Sequence, residues 1–475
     1  MTNENLSELI AAISPEDDAA PFEADERLQE ILVDLATRPA PIHSLHRLWT
    51  LGELSAQIAL AYGALWVRGW FASAETRKRR VMETNLRVAL KMFHRLAYMR
   101  GAMTKLGQTA GHLPLLVPSE IAETLERLHF QAPPMHYSLI REVVASEFGK
   151  EPEELFASFD KEAFAAASLG QVHRARLRTG EDVAVKIQYP GIARTIDADF
   201  RNLGALLFPL RLSADWEYVK AQFDEIRRML NQEVDYRQEA ASMRQARALF
   251  QPEDGMVIPE VFDEYSSQRV LTTAFLRGRH LADFLAANPS QTLRDHFGGK
   301  IYLANFRLYY AYMNYGDPHS GNYIFLDDGR LGLIDFGCVQ HYGAEERELL
   351  ELCERWIAGD ETVLPRVMEL ASGVKAGDPI YETYRDMLQR SFDWMMEPMR
   401  TEGPFDFGDE GHLERGFAWF AGMLRDRTVR GHPTYVYHQR SVFGAKALLY
   451  RLRARIDVRG LHARESAEVW RRLGI

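Results

Sequence analysis

The stretch Asn314–Gly337, NYGDPHSGNYIFLDDGRLGLIDFG, decides the fold. It places Asn322 five residues after Asp317, and Asp335 thirteen residues after Asn322. The apolar runs YIFL and LGLI flank the turn residues DDGR, which predicts a β-hairpin that returns Asp335 to the side of Asn322. An amide oxygen and a carboxylate suit Mg²⁺, a hard cation, and leave Asp317 to orient or deprotonate an acceptor. The spacing matches the catalytic loop and the DFG motif of phosphoryl-transfer enzymes.

A second informative stretch, FAAASLGQVHRARLRTGEDVAVKIQYPG, runs from Phe164 to Gly191. QVHRARL and VAVKIQ predict two strands joined by the turn RTGED, with Lys186 on the polar face of the second strand. A loop of small residues precedes this hairpin, and small side chains let a backbone approach phosphate oxygens closely. The loop residues that we predict to bind nucleotide are Ala165, Ala166, Ala167, Ser168 and Gly170.

The third informative stretch is an amphipathic helical pattern between Asp215 and Phe250. It contains NQEVDYRQEAA, with the acids Glu233, Asp235 and Glu239. In kinases a strand lysine paired with a helix glutamate holds the α- and β-phosphates of the nucleotide. Each motif is weak alone, since an isolated DFG or strand lysine is common. Their order along the chain predicts a protein-kinase-like fold of the α+β class.

Length, composition and charge limit the number of domains, the class of protein and the kind of partner. A chain of 475 residues exceeds one ordinary core, so two or more packed units are expected. Hydrophobic residues make up 46% and charged residues 26%, which is ordinary for a globular protein. The net charge of −10 argues against nucleic acid as a partner. The two cysteines, Cys338 and Cys353, have no zinc-ligand spacing and exclude a disulfide framework, which fits a reducing compartment.

Changes in residue composition and pattern along the chain predict four segments. Residues 1–40 form an acidic, partly disordered lead, and residues 41–145 a mostly helical N-terminal extension. Residues 146–275 form a kinase-like N-lobe, and residues 276–475 a largely helical C-lobe, so the predicted fold is bilobal. The acidic start has neither the basic nor the apolar pattern of a secretory or mitochondrial leader, which predicts a cytoplasmic protein.

One apolar segment raises the question of membrane contact. The run over residues 54–67 is fourteen residues long, which is too short to span a bilayer as a helix. The flank RGWFASAETRKRR adds aromatic and basic residues. The segment is therefore either a buried helix followed by a solvated basic turn, or an interfacial segment at an anionic membrane surface.

The chain resembles the UbiB/AarF family of atypical kinases, also called ADCK-like. The resemblance rests on AAASLGQVH in place of a glycine-rich loop, KLGQ at Lys105–Gln108, LERLHFQAPP, EVDYRQEA and GDPHSGN. It extends from about Arg100 to Gln340, half of the chain. It implies that Lys186 contacts the nucleotide phosphates and pairs with Glu239.

The same resemblance assigns further roles. Asn322 and Asp335 bind Mg²⁺ or Mn²⁺ with ATP or ADP, and Asp317 is the acid of the catalytic loop. Lys105 and Gln108 lie over the active site, where Lys105 meets Glu233, Asp235 and the acids of the metal site. A helix in that place occupies the position of a protein substrate, which favours an ATPase or a small-molecule or lipid kinase.

The family implies a role in ubiquinone or other isoprenoid-lipid metabolism at a membrane surface. The implied partners are an isoprenoid or quinone-precursor lipid, an anionic membrane and lipid-biosynthesis enzymes. Two alternatives stay open: a protein or small-molecule kinase, and a non-catalytic scaffold gated by nucleotide. Because the chain ends in ESAEVWRRLGI without the transmembrane helices of many bacterial members, membrane attachment is expected to be peripheral.

Some residues depart from the family pattern. Tyr315-Gly316 replace His-Ala, Ser320 replaces Pro, and Thr273-Ala274 replace Met-Glu at the hinge. These changes leave the phosphate and metal residues intact and bear on the identity of the pathway. We further expect a structural role for His319, simple packing for Cys338, and a helix over AEERELLELCERWIAGD that ends at Gly359.

Overall fold

The computed structural model describes residues 135–167, 169–194, 196–197, 200–201, 216–425 and 435–474. The chain divides into two compact units. The first comprises residues 1–146, 160–173 and 186–217, and the second comprises residues 147–159, 174–185 and 218–475. Strands β3 (Gly170–Arg176) and β4 (Asp182–Gln188) contribute residues to both.

The first unit contains most of helix α1 (Tyr137–Phe148), which crosses the predicted segment boundary at residue 145. Its Ile140, Val143 and Val144 are buried, at the spacing of one helix face. The same unit contains a polar chain: Gln171 Oε1 accepts from the Met135 N–H at 2.8 Å, and Gln171 Nε2 lies 2.8 Å from His173 Nε2. Both side chains are buried.

The predicted small-residue loop is partly wrong. Ala165–Ala167 form strand β2, which pairs antiparallel with β3 in the register Ala165↔Val172, Ala166↔Gln171 and Ala167↔Gly170. The three alanines therefore lie in a paired strand and not in a loop, and their backbone groups form hydrogen bonds with β3. The hairpin of β3 and β4 is confirmed, with the Leu177 N–H donating to the Glu181 carbonyl at 2.9 Å across its turn.

Gly170, which we predicted to bind nucleotide, has a packing role in the fold. A Cβ there would lie 2.2 Å from the backbone oxygen of Ile187. Backbone atoms cannot move aside as the end of a flexible side chain can, so these two strand segments require glycine.

Gly170→Ala is expected to destabilise the protein by about 1–3 kcal/mol, because the added methyl overpacks two backbones. Urea unfolding midpoints measure the change. Gly299→Ala is the matched control, since nothing lies within 4 Å of a Cβ at that helical position. It is expected to stabilise by up to about 1 kcal/mol, and equal midpoint shifts for the two variants would contradict the packing argument.

The second unit contains four groups of strands. Strands follow the order β1-β3-β4-β6 in the largest sheet, and β5 lies parallel to β9, which pairs antiparallel with β8. Two antiparallel pairs, β7–β10 and β11–β12, complete the set. The bounds are β1 (Ser158–Phe159), β5 (Met256–Val257), β6 (Val270–Ala274), β7 (Met313–Tyr315), β8 (Tyr323–Phe325), β9 (Leu331–Leu333), β10 (Val339–His341), β11 (Phe405–Asp406) and β12 (Arg455–Ile456).

Helices make up most of the second unit. They are α2 (Pro152–Leu155), α3 (Trp216–Glu233), α4 (Tyr236–Leu249), α5 (Leu281–Ala286), α6 (Gln291–Tyr310), α7 (Ala344–Ile357), α8 (Leu364–Ser372), α9 (Tyr381–Arg400), α10 (Glu410–Arg425), α11 (Tyr435–Leu452) and α12 (Val458–Leu473). One buried core joins α4 and α6 to β7, β8 and β9, with Phe297, Tyr323 and Leu333 among its members. A second joins α7, α8 and α9, where Trp356 stacks on Phe392 with 3.7 Å between ring centroids.

The amphipathic pattern between Asp215 and Phe250 divides into α3 and α4. The break falls at Val234-Asp235, and the Asp235 carboxylate accepts the Arg237 N–H at 3.1 Å as the N-cap of α4. A capping aspartate satisfies an otherwise unpaired helix N–H, which starts the second helix here. The capping role is a local function that sequence reasoning did not assign to Asp235.

Two expectations for the C-terminal part are confirmed. Helix α7 ends at Ile357, followed by Gly359 with a positive φ of 100°. Cys338 is buried and packs against Met229.

Within the described ranges, no helix combines the length and the apolar character needed to cross a bilayer.

Candidate active site

Glu239 lies against the DFG segment. It stands in the first turn of α4, is only 3% exposed, and its Oε1 accepts the Phe336 N–H at 3.3 Å. Gly337 approaches closely, because a Cβ there would lie 3.5 Å from Glu239 Oε2 and 3.3 Å from Asp335 Oδ1. The structure thus joins the predicted helix acid to the predicted metal loop, although almost one hundred residues separate them along the chain.

Two strand pairs bring the catalytic loop and the DFG segment together. β7 leads into Asp317 and pairs with β10, and the Gly316 N–H extends this pairing by donating to the Cys338 carbonyl at 2.9 Å. β8 and β9 form the predicted hairpin, and the Ile334 N–H donates to the Asn322 carbonyl at 3.1 Å. The hairpin therefore brings Ile334, the residue before Asp335, next to Asn322, as the sequence predicted.

Asn322 is held within the catalytic loop. Its Nδ2 donates to the Asp317 backbone carbonyl at 2.8 Å, so its side-chain oxygen is the atom available to a cation. His319 stabilises the same loop, since its Nδ1 accepts the Gly321 N–H at 3.0 Å and its carbonyl accepts the Asn322 N–H at 2.9 Å. The structural role expected for His319 is confirmed.

Tyr315 is a positioning residue that sequence reasoning missed. Its hydroxyl donates to the Asp335 backbone carbonyl at 2.9 Å. Burial, followed by the neighbouring Tyr323, Asp335, Asp317 and Glu239, raises the pKa of this phenol well above its usual range. The phenol therefore stays protonated and donates its hydrogen bond. The only sequence signal was that Tyr315 departs from the histidine of the family pattern.

Tyr315→Phe is expected to destabilise the protein by about 1 kcal/mol and to lower kcat more than it raises KM, because Asp335 loses a backbone anchor. Thermal unfolding and steady-state kinetics measure the two effects. Tyr381→Phe is the control, since Tyr381 begins α9 and packs against the core of α7, α8 and α9. Unchanged kinetics in Tyr315→Phe would remove Tyr315 from the set of positioning residues.

The other predicted residues fall in three groups. Lys186 lies half-buried on β4 in the first unit, and Glu233 is the buried last residue of α3. Ala165–Ala167 form β2, as described above. Lys105, Gln108 and Ser168 lie outside the described residues. The pairing of Lys186 with Glu239 remains a prediction.

Comparison with known proteins decides the family. Residues 127–368, about half of the chain, match the ABC1 atypical kinase-like domain. The chain belongs to this family. Its relatives carry the names COQ8 and AarF domain-containing protein kinase, so the UbiB/AarF resemblance read from the sequence is confirmed. The mixture of helices and sheets in the ABC1 domain confirms a kinase-like α+β class.

Two relatives in the ABC1 family are named mitochondrial atypical kinases. The coq-8 protein of Caenorhabditis elegans is 31% identical over 379 residues, which cover 77% of this chain and 49% of that protein. COQ8 of Schizosaccharomyces pombe is 28% identical over 422 residues, which cover 86% of this chain and 67% of that protein. The chain thus spans about half the length of the worm protein.

A solved structure from the same comparison supports the fold. Rv3197 of Mycobacterium tuberculosis, solved as a complex with erythromycin, is 26% identical to this ABC1 chain with a TM-score of 0.54. The match covers 82% of this chain and 98% of that one. It therefore extends over more of the chain than the ABC1 segment does.

Proposed function

We propose that this ABC1 chain is an atypical kinase or ATPase that binds ATP or ADP with Mg²⁺. The observation that carries the proposal is the contact of the buried Glu239 carboxylate with the Phe336 N–H. In active kinases the helix glutamate and the DFG segment must both be in place for phosphoryl transfer. The relatives named atypical kinases support the same activity.

The donor set fits a magnesium ion bound together with nucleotide. Asn322 and Asp335 would hold the cation, since Asn322 keeps an oxygen available while its nitrogen is engaged. Bound Mg²⁺ would neutralise charge on the transferred phosphoryl group. Among the described residues there is no cluster of three or more His, Cys, Asp or Glu side chains suited to a metal. Mg²⁺ commonly takes one or two protein ligands and fills its shell with phosphates and water.

Other residues complete the proposed machinery. Lys186 contacts the nucleotide phosphates and pairs with Glu239, and the segment around Ala165–Ala167 and Gly170 covers the nucleotide. Asp317 orients or deprotonates the acceptor. Lys105 and Gln108 act with Glu233 and Asp235 to restrict access by protein substrates.

The proposed biological role is support of ubiquinone or other isoprenoid-lipid metabolism at a membrane surface. The relatives named COQ8 support a quinone pathway, and the apolar, aromatic and basic segment over residues 54–80 supports contact with anionic lipid. That segment lies outside the described residues.

One experiment tests the activity and separates it from the alternatives. We expect Mg²⁺-dependent release of labelled phosphate from ATP that rises with anionic vesicles and is lost in Lys186→Ala. Lys161→Ala, which changes an exposed lysine of the same unit, is the control and should retain turnover. Label transferred to protein would favour a protein kinase. A thermal shift with nucleotide but without turnover would favour a scaffold, and turnover that survives in Lys186→Ala would overturn the site.

A further inference from the structure

The second unit contains an apolar, partly open cavity behind the catalytic loop, and Tyr315 is the positioning residue that also lines it. Its volume is about 260 Å³, and α6, α7, α8, α9 and α11 line it together with β7 and β10. Leu350, Trp356, Leu388, Phe392 and Met396 are among its lining residues. An apolar cavity of roughly 150 Å³ holds a benzene molecule, so this one has room for about ten non-hydrogen atoms.

Two buried amides in the wall of this cavity each have one atom without a hydrogen-bond partner among the described residues. Asn314 on β7 and Gln340 on β10 are direct cross-strand neighbours and are 3% and 4% exposed. Within the part of the chain that the structure describes, Asn314 Nδ2 and Gln340 Oε1 make no hydrogen bond. Each unpaired buried polar group costs about 1–3 kcal/mol, which favours any occupant that satisfies both.

Other buried polar side chains in the same wall are already satisfied. Glu354 accepts from the Tyr310 hydroxyl at 3.2 Å and from Trp470 Nε1 at 2.6 Å. Lys446 Nζ lies 3.1 Å from His412 Nε2. The amide pair therefore differs from the rest of the wall and marks where a ligand's polar group would bind.

The chemistry of the pair selects the ligand. A hydroxyl is a donor and an acceptor in one atom, so it can accept from one amide and donate to the other. The terminal torsions of Asn and Gln are broad, which lets each amide turn toward such a group at little cost. A hydrocarbon would leave both amides unpaired, and a carboxylate would be costly to desolvate in so apolar a cavity.

We propose that this cavity binds an apolar compound with a single hydroxyl group, that is, a medium-chain or similarly sized alcohol. The site goes beyond the proposed nucleotide chemistry and does not depend on it. Asn314 lies three residues before Asp317, and Gln340 lies five residues after Asp335. A bound alcohol would therefore contact the two strands that carry the catalytic loop and the DFG segment.

Calorimetric titration of the full chain with three probes tests the proposal. We expect 1-octanol to bind at least tenfold more tightly than 1-chlorooctane, which lacks the hydroxyl, with octyl methyl ether between them because it only accepts. Ala371→Leu, which fills the cavity from α8, should abolish binding of all three probes. Equal affinities for the three compounds, or no binding of 1-octanol, would overturn the proposal.

Variants of the amide pair give a second readout. The double variant Asn314→Leu and Gln340→Met keeps the approximate volumes and removes both unpaired groups. It should melt at a higher temperature than the unliganded wild type and should lose the preference for 1-octanol over 1-chlorooctane. A preference retained in this variant would place the hydroxyl elsewhere, and a lower melting temperature would mean that the amides are already satisfied; either result contradicts the proposal.

Discussion

Asp335→Asn is expected to lower Mg²⁺-dependent nucleotide turnover by roughly 10²–10³-fold, the range typical for loss of one preorganised electrostatic group. Asparagine removes the negative charge that would hold the cation but keeps the shape of the side chain. Its amide oxygen can still accept the Gly337 N–H, which lies 2.9 Å from Asp335 Oδ1. Because the Tyr315 hydroxyl bonds to the backbone oxygen of Asp335, that contact also survives. The loss should therefore be chemical rather than a failure to fold.

Steady-state turnover and binding of a fluorescent nucleotide over a Mg²⁺ titration measure this effect. The matched control is Asp327→Asn, which makes the same change in the turn of the same hairpin, where the carboxylate is exposed and pairs with Arg279. The control should keep wild-type turnover and Mg²⁺ dependence. If Asp335→Asn turns over nucleotide as fast as the control does, Asp335 is not a metal ligand.

The largest expected effect on stability comes from Lys446. It is 5% exposed, and its Nζ lies 3.8 Å from the Trp394 ring centroid and 3.1 Å from His412 Nε2. His412 Nδ1 in turn lies 2.9 Å from Glu397 Oε2. Burial lowers the pKa of the Lys446 ammonium to about 7 from its ordinary 10.5, although the Glu397 carboxylate acts in the opposite direction.

The pH dependence follows from proton binding. Between about pH 7 and 10.5 the unfolded chain holds a proton on Lys446 and the folded chain does not. The free energy of unfolding should therefore rise with pH across this window on account of Lys446, by roughly 5 kcal/mol at most, at about 1.4 kcal/mol per pKa unit. Below about pH 7 the folded protein bears the full cost of burying the charge.

Lys446→Met should remove this pH dependence and stabilise the protein at pH 6. The gain is reduced by about 1–3 kcal/mol, because His412 Nε2 loses its partner. Urea unfolding at pH 6, 8 and 9.5 measures the slope in wild type and variant. Lys375→Met is the control, since Lys375 is exposed and pairs with Glu369, and it should keep the wild-type slope. Parallel pH profiles for Lys446→Met and wild type would mean that Lys446 stays charged in the fold.

The candidate site was predictable to the extent that its parts follow from local patterns. The hairpin after Asn322 was predictable because turn residues separate two apolar runs. The place of Glu239 was predictable because motif order limits the folds that can bring it near a DFG segment. The alanine segment was harder, since alanine has no strong preference for strands and its pairing with β3 depends on distant residues.

Other features required the folded chain. In the sequence Tyr315 is only a departure from the family pattern, and the structure shows that its hydroxyl donates to the Asp335 carbonyl. Asn314 and Gln340 are ordinary polar residues in the sequence, and only the pairing of β7 with β10 makes them neighbours in a cavity wall. Lys446 has a lowered pKa only because the packing of α11 removes it from water.

The sequence by itself determined the family, the order of the catalytic motifs and the hairpin that joins Asn322 to Asp335, because these depend on residue types at short spacings. The tertiary structure alone decided which polar groups lie buried, which of them find partners, and where an apolar cavity remains. Burial and desolvation depend on contacts between segments far apart in the chain, and no local pattern contains that information.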